Sequence, residues 1–357
     1  MNLRTFFQLF RKKKTRIPDI DQSSALESPP PDRIDETPSL ENEHRPILEL
    51  NLGIDFGTRF TKVCFRNSGT EQSEVVNFGG DAIEDGMIAS IVTICSDGAL
   101  YLCGEYDEKD CIDYKYLKMK LAGFSSIGDE HLRWQGVSLD DDEAVRALSS
   151  WFLAKVILKA KEWIKINRKD LLHERDVRWS ANVGVPVEHY DSDNIKVFEE
   201  VFPVGWSWAE RGDLPSDFRT AKERYESDTC TIVTEITDCH AIPELSAALQ
   251  SFVISREAQE GVYMYFDIGG GTVDGVSFNY YARHGEKSVN FYSGKLDELG
   301  VSAVVSSFGE EADKVEQILS LETASDLGVK LNVLELNPRS SRRKKTRCTT
   351  NCWSCDL

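Results

Sequence analysis

Met264-Tyr265-Phe266-Asp267-Ile268-Gly269-Gly270-Gly271-Thr272-Val273-Asp274-Gly275-Val276 decides the fold of this chain. An apolar strand ends in Asp267, a turn of three glycines and Thr272 follows, and a second apolar strand leaves it. Glycine has no Cβ, so the backbone can approach a ligand closely and can take positive φ. Successive N–H groups in such a turn can face an anion. Much earlier, Leu52-Gly53-Ile54-Asp55-Phe56-Gly57-Thr58-Arg59-Phe60-Thr61-Lys62-Val63 has the same design, its aspartate 212 residues before Asp267. An aspartate at a strand tip repels phosphate unless Mg²⁺, held largely through water, lies between them. Two such hairpins facing each other predict a clamp for the tail of a nucleoside triphosphate. The alternative is two unrelated hairpins whose Asp and Gly are turn formers only.

Outward from the first hairpin, short apolar runs predict strands over 50–55, 61–66, 74–78, 88–95 and 100–103. Val145, Leu148, Phe152, Val156, Lys159 and Trp163 recur at three and four residues, which predicts a helix over 143–167. Asp140-Asp141-Asp142 before it suits a helix N-terminus. A strand is expected over 178–187, helices over 195–202 and 242–256, and strands over 262–267, 272–279 and 289–293. Strands, then helix, then strand again define an α/β protein.

With 41% hydrophobic residues in 357, the chain can bury a core. The first 16 residues carry +6 and the last 19 carry +5, so a total of −18 leaves −29 for residues 17–338. An acidic body repels phosphate backbones, so nucleic acid is not an expected partner. Nine scattered cysteines, an odd number, suggest a reducing, cytoplasmic location. No apolar run is long enough to span a membrane. Leu3, Phe6, Phe7 and Phe10 followed by basic charge form an interfacial-anchor pattern, which admits a weak peripheral membrane contact through residues 1–16. A tail without structure is the other reading of that segment.

The two hairpins resemble the phosphate-one and phosphate-two loops of the actin-like ATPase superfamily, whose fold is ribonuclease H-like. The closer resemblance is to a divergent branch of the seventy-kilodalton heat-shock chaperones. Asp267-Ile-Gly-Gly-Gly-Thr-Val-Asp274 is nearly that family's second loop. Ile242-Pro-Glu244-Leu-Ser-Ala-Ala-Leu249, Val183-Gly-Val-Pro186 and Tyr116-Leu-Lys118-Met-Lys120-Leu121 are similar to further family segments. The resemblance spans about residues 50–305.

By that resemblance Asp55 and Asp267 would orient hydrated Mg²⁺, and Gly57, Thr58, Gly269, Gly270, Gly271 and Thr272 would cradle ATP phosphates. Glu244 would position a water, with Asp274 sharing that role; a helix-start carboxylate is the plainer reading of Glu244. Lys62, seven residues after Asp55, matches the actin and sugar-kinase branches, and would neutralise β/γ charge or else simply face solvent. Lys109 reads as a surface lysine. Three functions follow: an ATP-binding chaperone-like protein with slow ATP hydrolysis, a non-hydrolysing regulatory or scaffold module of the same fold, or a sugar- or acid-kinase relative.

The expected organisation is a basic tail and Pro-rich linker over 1–46, a first lobe over 47–250, a partial second lobe over 251–338 and a basic Cys-containing tail over 339–357. Residues 310–336 read as helical and acidic. Only 83 residues follow Asp274, and no second Gly-Gly pair stands where the family holds adenosine, so the second lobe is expected to be incomplete. An incomplete lobe exposes apolar surface and a strand edge, which invites an unknown protein partner. Three cysteines in the tail are too few for a closed zinc site.

Overall fold

The computed structural model describes residues 45–79, 86–106, 110–124, 132–186, 195–232, 238–245, 258–283, 286–297 and 299–301, with Leu249, Phe252, Val253, Ser255, Val305 and residues 307–309. The anchor pattern of residues 1–16, nearly all of the Pro-rich linker, Lys109, the helix expected over 310–336 and the Cys-containing tail lie outside these residues. One compact unit runs to Val301, and the other comprises Ser302–Leu357. In the latter, Phe308 N donates to Val305 O at 3.0 Å.

The larger unit is mixed α/β. Strands β1 (Ile47–Phe56) and β2 (Phe60–Asn67) form an antiparallel hairpin, extended by β3 (Ser73–Val75). The short β4 (Met87–Ala89) also pairs with β2. Strand β1 alternates along its length. Leu48, Leu50, Leu52, Ile54 and Phe56 point into the core, and Asp55 points out. That alternation fixes register, because a one-residue slip would expose the whole apolar row.

Further along the chain come β5 (Val92–Ile94), β6 (Leu100–Leu102) and β7 (Ile112–Tyr114), which form a small sheet of their own in the order β6-β5-β7. The helix α1 (Leu117–Leu121) and the strand pair β8 (Arg133–Trp134) and β9 (Val137–Ser138) follow. The expected strand over 88–95 is thus two strands in two sheets. The chain turns at Ser90, with Ile91 N bonded to Ala89 O at 2.8 Å, and the apolar run joins the half-buried β4 to the fully buried β5.

The long helix α2 (Asp142–Asn167) begins at an N-cap, Asp141, whose side chain accepts from Ala144 N at 2.8 Å. Its buried residues extend well beyond one stripe, since the sheet, α4 (Ile195–Arg211) and α5 (Phe218–Ile232) all pack around it. A single helical turn, α3 (Lys169–Leu172), leads into β10 (Asp176–Val185). Gly205 lets α4 approach α2 closely, because a Cβ there would stand 2.8 Å from Ser150 O. Trp206 and Trp208 are core residues of α4.

Strand β10 pairs parallel with β1, and β11 (Cys239–Pro243) pairs parallel with β10, giving the order β11-β10-β1-β2-β3. Ile242 and Pro243, expected in a helix, belong to β11. Pairing with Gly184 and Val185 decides their conformation, and Pro243 is tolerated because β11 is an edge strand. Helical residues start at Glu244.

A second sheet repeats the opening hairpin. Strands β12 (Gly261–Ile268), β13 (Val273–Arg283) and β14 (Glu286–Asp297) run antiparallel in that order. Leu245, Leu249 and Val253 pack with Val276, Phe278, Tyr280 and Val289 in a separate apolar cluster. On the other side of β12, Val262, Met264, Phe266 and Ile268 are 58–70% exposed. Among the described residues β12 pairs with β13 alone, so an apolar face and a strand edge are both open there.

Candidate functional site

The carboxyl ends of β1, β10 and β11 lie together because the three strands are parallel. This is where open α/β sheets usually take ligands. Asp55 stands at the end of β1, exposed and opposite Lys62 of β2. Glu244 follows β11. Gly184 in β10 leaves room for it, since a Cβ there would lie 2.6 Å from Glu244 Cγ. Threonine at position 184 would collide with Glu244 unless one of them moved.

The two glycine turns meet at this point. In the first, Gly57 N bonds to Asp55 O at 3.1 Å, and a Cβ on Gly57 would overlap Phe60 O. Ser90 ties the turn down. Its Oγ donates to Gly57 O at 2.8 Å, its N donates to Arg59 O at 2.8 Å, and its Oγ lies 2.9 Å from Thr61 Oγ1. In the second turn, Gly269 N donates to Thr272 O at 2.8 Å. The side chain of Arg59 lies across Gly270, where an added Cβ would be 2.5 Å from Arg59 Cγ and 2.6 Å from Cδ. Buried Thr58 packs on Gly271, with Cγ2 2.9 Å from the position of its missing Cβ, and Met119 Sδ overlaps that position.

Glycine is needed at these positions for close approach. None of Gly57, Gly269, Gly270 and Gly271 has its φ in the left-handed region, so positive φ, one of the two reasons expected from sequence, does not apply. A neighbouring segment closes on the second turn. Gly300 N donates to Gly271 O at 3.2 Å and Val301 N to Gly269 O at 3.0 Å. A Cβ on Gly300 would stand 2.5 Å from Thr272 N.

The charged groups divide into three sets. Asp267, exposed at the end of β12, is register partner to buried Asp274 of β13. Lys118 of α1 forms an ion pair with Glu244 Oε1, with the two side chains only 10% and 15% exposed. Lys62 is exposed on β2. Burial pushes the Glu244 carboxyl above its ordinary pKa. The Lys118 ammonium opposes that rise, and the negative charges of Asp55 and Asp267 add to it. Asp55 and Asp267 each lie within electrostatic reach of Glu244.

No cluster of three or more His, Cys, Asp or Glu with metal-ligand spacing occurs among the described residues. A hydrated Mg²⁺ needs none, because one or two carboxylates plus phosphates and waters suffice. Asp55 and Asp267, both exposed at strand ends, are the carboxylates here that could serve such an ion.

Sequence reading missed three of these residues. Lys118 lies in the Tyr116–Leu121 stretch, but its partner is 126 residues away, so only the fold reveals the pair. Ser90 is a lone hydroxyl in an apolar run, a signal that was present. Arg59 stands inside the first turn, where its direction could not be read.

No protein-family model matches the chain, and no curated protein matches it. No helix among the described residues is long and apolar enough to cross a membrane. The six described cysteines are free thiols.

Proposed function

We propose that this protein binds a nucleoside triphosphate with Mg²⁺ between the two glycine turns, in an actin-like ATPase arrangement with a heat-shock-chaperone-like site, and hydrolyses it slowly. The observation that carries this reading is the meeting of two Asp-tipped glycine turns at the carboxyl ends of parallel strands, beside a buried Lys118–Glu244 pair. The repeated hairpin, once in each sheet, supports the fold assignment, since an actin-like protein offers one phosphate loop from each lobe.

Asp55 and Asp267 hold the hydrated cation, which neutralises phosphate charge when bound. Backbone N–H groups of both turns, with Thr58 and Thr272, hold phosphate oxygens. Lys118 and Lys62 supply positive charge to the terminal phosphates. Glu244, fixed through Oε1 by Lys118, orients a water through its other oxygen and accepts its proton. Asp274, buried opposite Asp267, positions that strand end.

Calorimetry with Mg·ATP tests the reading. Binding by the wild type and its loss in Asp267→Ala are expected, as is a weaker interaction with ATP in EDTA. Equal affinity in wild type and Asp267→Ala would remove the basis for the site. Phosphate release without an added acceptor separates hydrolysis from a non-hydrolysing scaffold and from a kinase.

The pH dependence follows from Glu244. Its raised pKa keeps the proton on to higher pH, and the ionised form is the active one. The rate therefore climbs with pH through a midpoint above the ordinary glutamate value of about 4.3. Lys118 favours the charged form, so Lys118→Met moves the midpoint further up. Glu244→Gln removes this limb and lowers the rate about 10²–10⁴-fold, as expected for loss of a general base. A midpoint that falls in Lys118→Met contradicts the assignment.

A further inference from the structure

We infer that Ser90 and Thr61 are positioning residues of the nucleotide site: their linked hydroxyls fix and polarise the Gly57–Thr58 peptide, whose N–H is a donor that the first turn offers to a phosphate oxygen. This rests on the nucleotide reading above. Chemistry sets the direction of the two hydrogen bonds. A carbonyl oxygen can only accept, so the single hydroxyl proton of Ser90 goes to Gly57 O at 2.8 Å. Ser90 Oγ and Thr61 Oγ1 are 2.9 Å apart, and the proton between them must then be that of Thr61. Thr61 donates to Ser90, and Ser90 donates to Gly57 O. Both residues are fully buried, so water does not stand in for either hydroxyl.

A free donor lies at the other end of that chain. Thr58 is buried, and its N–H makes no hydrogen bond among the described residues. Gly57 N is already engaged by Asp55 O at 3.1 Å. The peptide between Gly57 and Thr58 is one resonance unit. A proton donated to its oxygen therefore draws electron density from its nitrogen and makes the N–H a stronger donor. Hydrogen bonds in a chain polarise one another by roughly 10–30% each, so Thr61 adds to the effect through Ser90. A buried N–H without a partner is costly, and an anion relieves that cost. Ser90 also holds the turn through its N on Arg59 O at 2.8 Å. One residue at the break between β4 and β5 thus fixes two carbonyls of the first turn.

Full-length protein carrying carbonyl-labelled glycine and nitrogen-labelled threonine gives one NMR signal for each Gly–Thr pair. The sequence has three, at 57–58, 69–70 and 271–272. Each is assigned by the loss of its signal when its threonine is replaced by serine, and the last two are internal controls. A carbonyl carbon moves upfield when it loses a hydrogen bond. Without nucleotide, the Gly57 signal is expected to move upfield in Ser90→Ala, to move less in Thr61→Val, and to stay in place in Thr61→Ser, which keeps the hydroxyl. Calorimetry with Mg·ATP should follow the same order. Ser90→Ala binds about tenfold more weakly, the scale of one net hydrogen bond. Thr61→Val loses about two- to threefold, and Thr61→Ser matches the wild type. The backbone bond to Arg59 O persists in Ser90→Ala, and thermal melts check that each variant folds.

A Gly57 carbonyl that stays in place in Ser90→Ala overturns the inference. So does a moved carbonyl with Mg·ATP affinity equal to that of the wild type, and in both cases the nucleotide reading stands if the wild type binds. A loss in Thr61→Ser as large as that in Thr61→Val would assign the effect to packing and overturn the role of the hydroxyl. Absence of Mg·ATP binding by the wild type overturns the nucleotide reading and this inference with it.

Discussion

Gly57→Val should lose at least about a hundredfold in Mg·ATP affinity, on the order of 2.7 kcal/mol, while its circular dichroism stays that of the wild type. A Cβ at this position overlaps Phe60 O, a backbone atom that opens β2. Phe60 is held by pairing with Ala89, and the turn is pinned from the other side by Ser90 on Gly57 O and Arg59 O. The clash therefore cannot be relieved by a side-chain rotation. It must deform the turn that presents Thr58 and Arg59 to the second hairpin. Gly69→Ala is the control. It lies in another turn of the first sheet, where an added Cβ would be 3.3 Å from Asn67 Oδ1, and its nucleotide affinity should match the wild type. Wild-type affinity in Gly57→Val would show that the first turn takes no part in binding.

Trp208→Ala is expected to cost about 3–5 kcal/mol of stability, the range for deleting a large aromatic from a core. Trp208 is fully buried on α4. Its Nε1 donates to Asp228 Oδ2 at 2.8 Å, and Arg224 lies over its ring at 5.6 Å. Truncation leaves a cavity between α4 and α5 and removes one donor from Asp228. Urea denaturation followed by fluorescence of the remaining tryptophans measures the loss as a lower midpoint at similar slope. A loss under about 1 kcal/mol would mean that the helices collapse onto the gap more readily than cores usually do.

What was legible in the sequence is what chemistry writes locally. A glycine turn between apolar strands, tipped by aspartate, needs only a dozen residues to declare itself, and both hairpins formed where expected. The long helix declared itself through its apolar spacing and the aspartates before it. Helix α5 did not, because only Phe218, Ala221, Tyr225 and Ile232 of it are buried and the rest is polar. Ile242 and Pro243 were misread because strand pairing with residues near 184, and not local propensity, decides them. The Lys118–Glu244 pair is similarly a product of tertiary structure.

The parallel pairing of β1 with β10 also sets a timetable for synthesis. Asn51 and Ser180, joined by a 2.9 Å side-chain bond in these strands, are 129 residues apart. At ribosomal speed, the gap between their emergence is on the order of ten seconds. The opening hairpin can close in microseconds, but its inner edge and apolar row stay uncovered through that interval. Contacts of such long range also slow folding in the free chain. The nascent chain thus passes through a vulnerable interval, and anything that delays translation between residues 67 and 176 prolongs it.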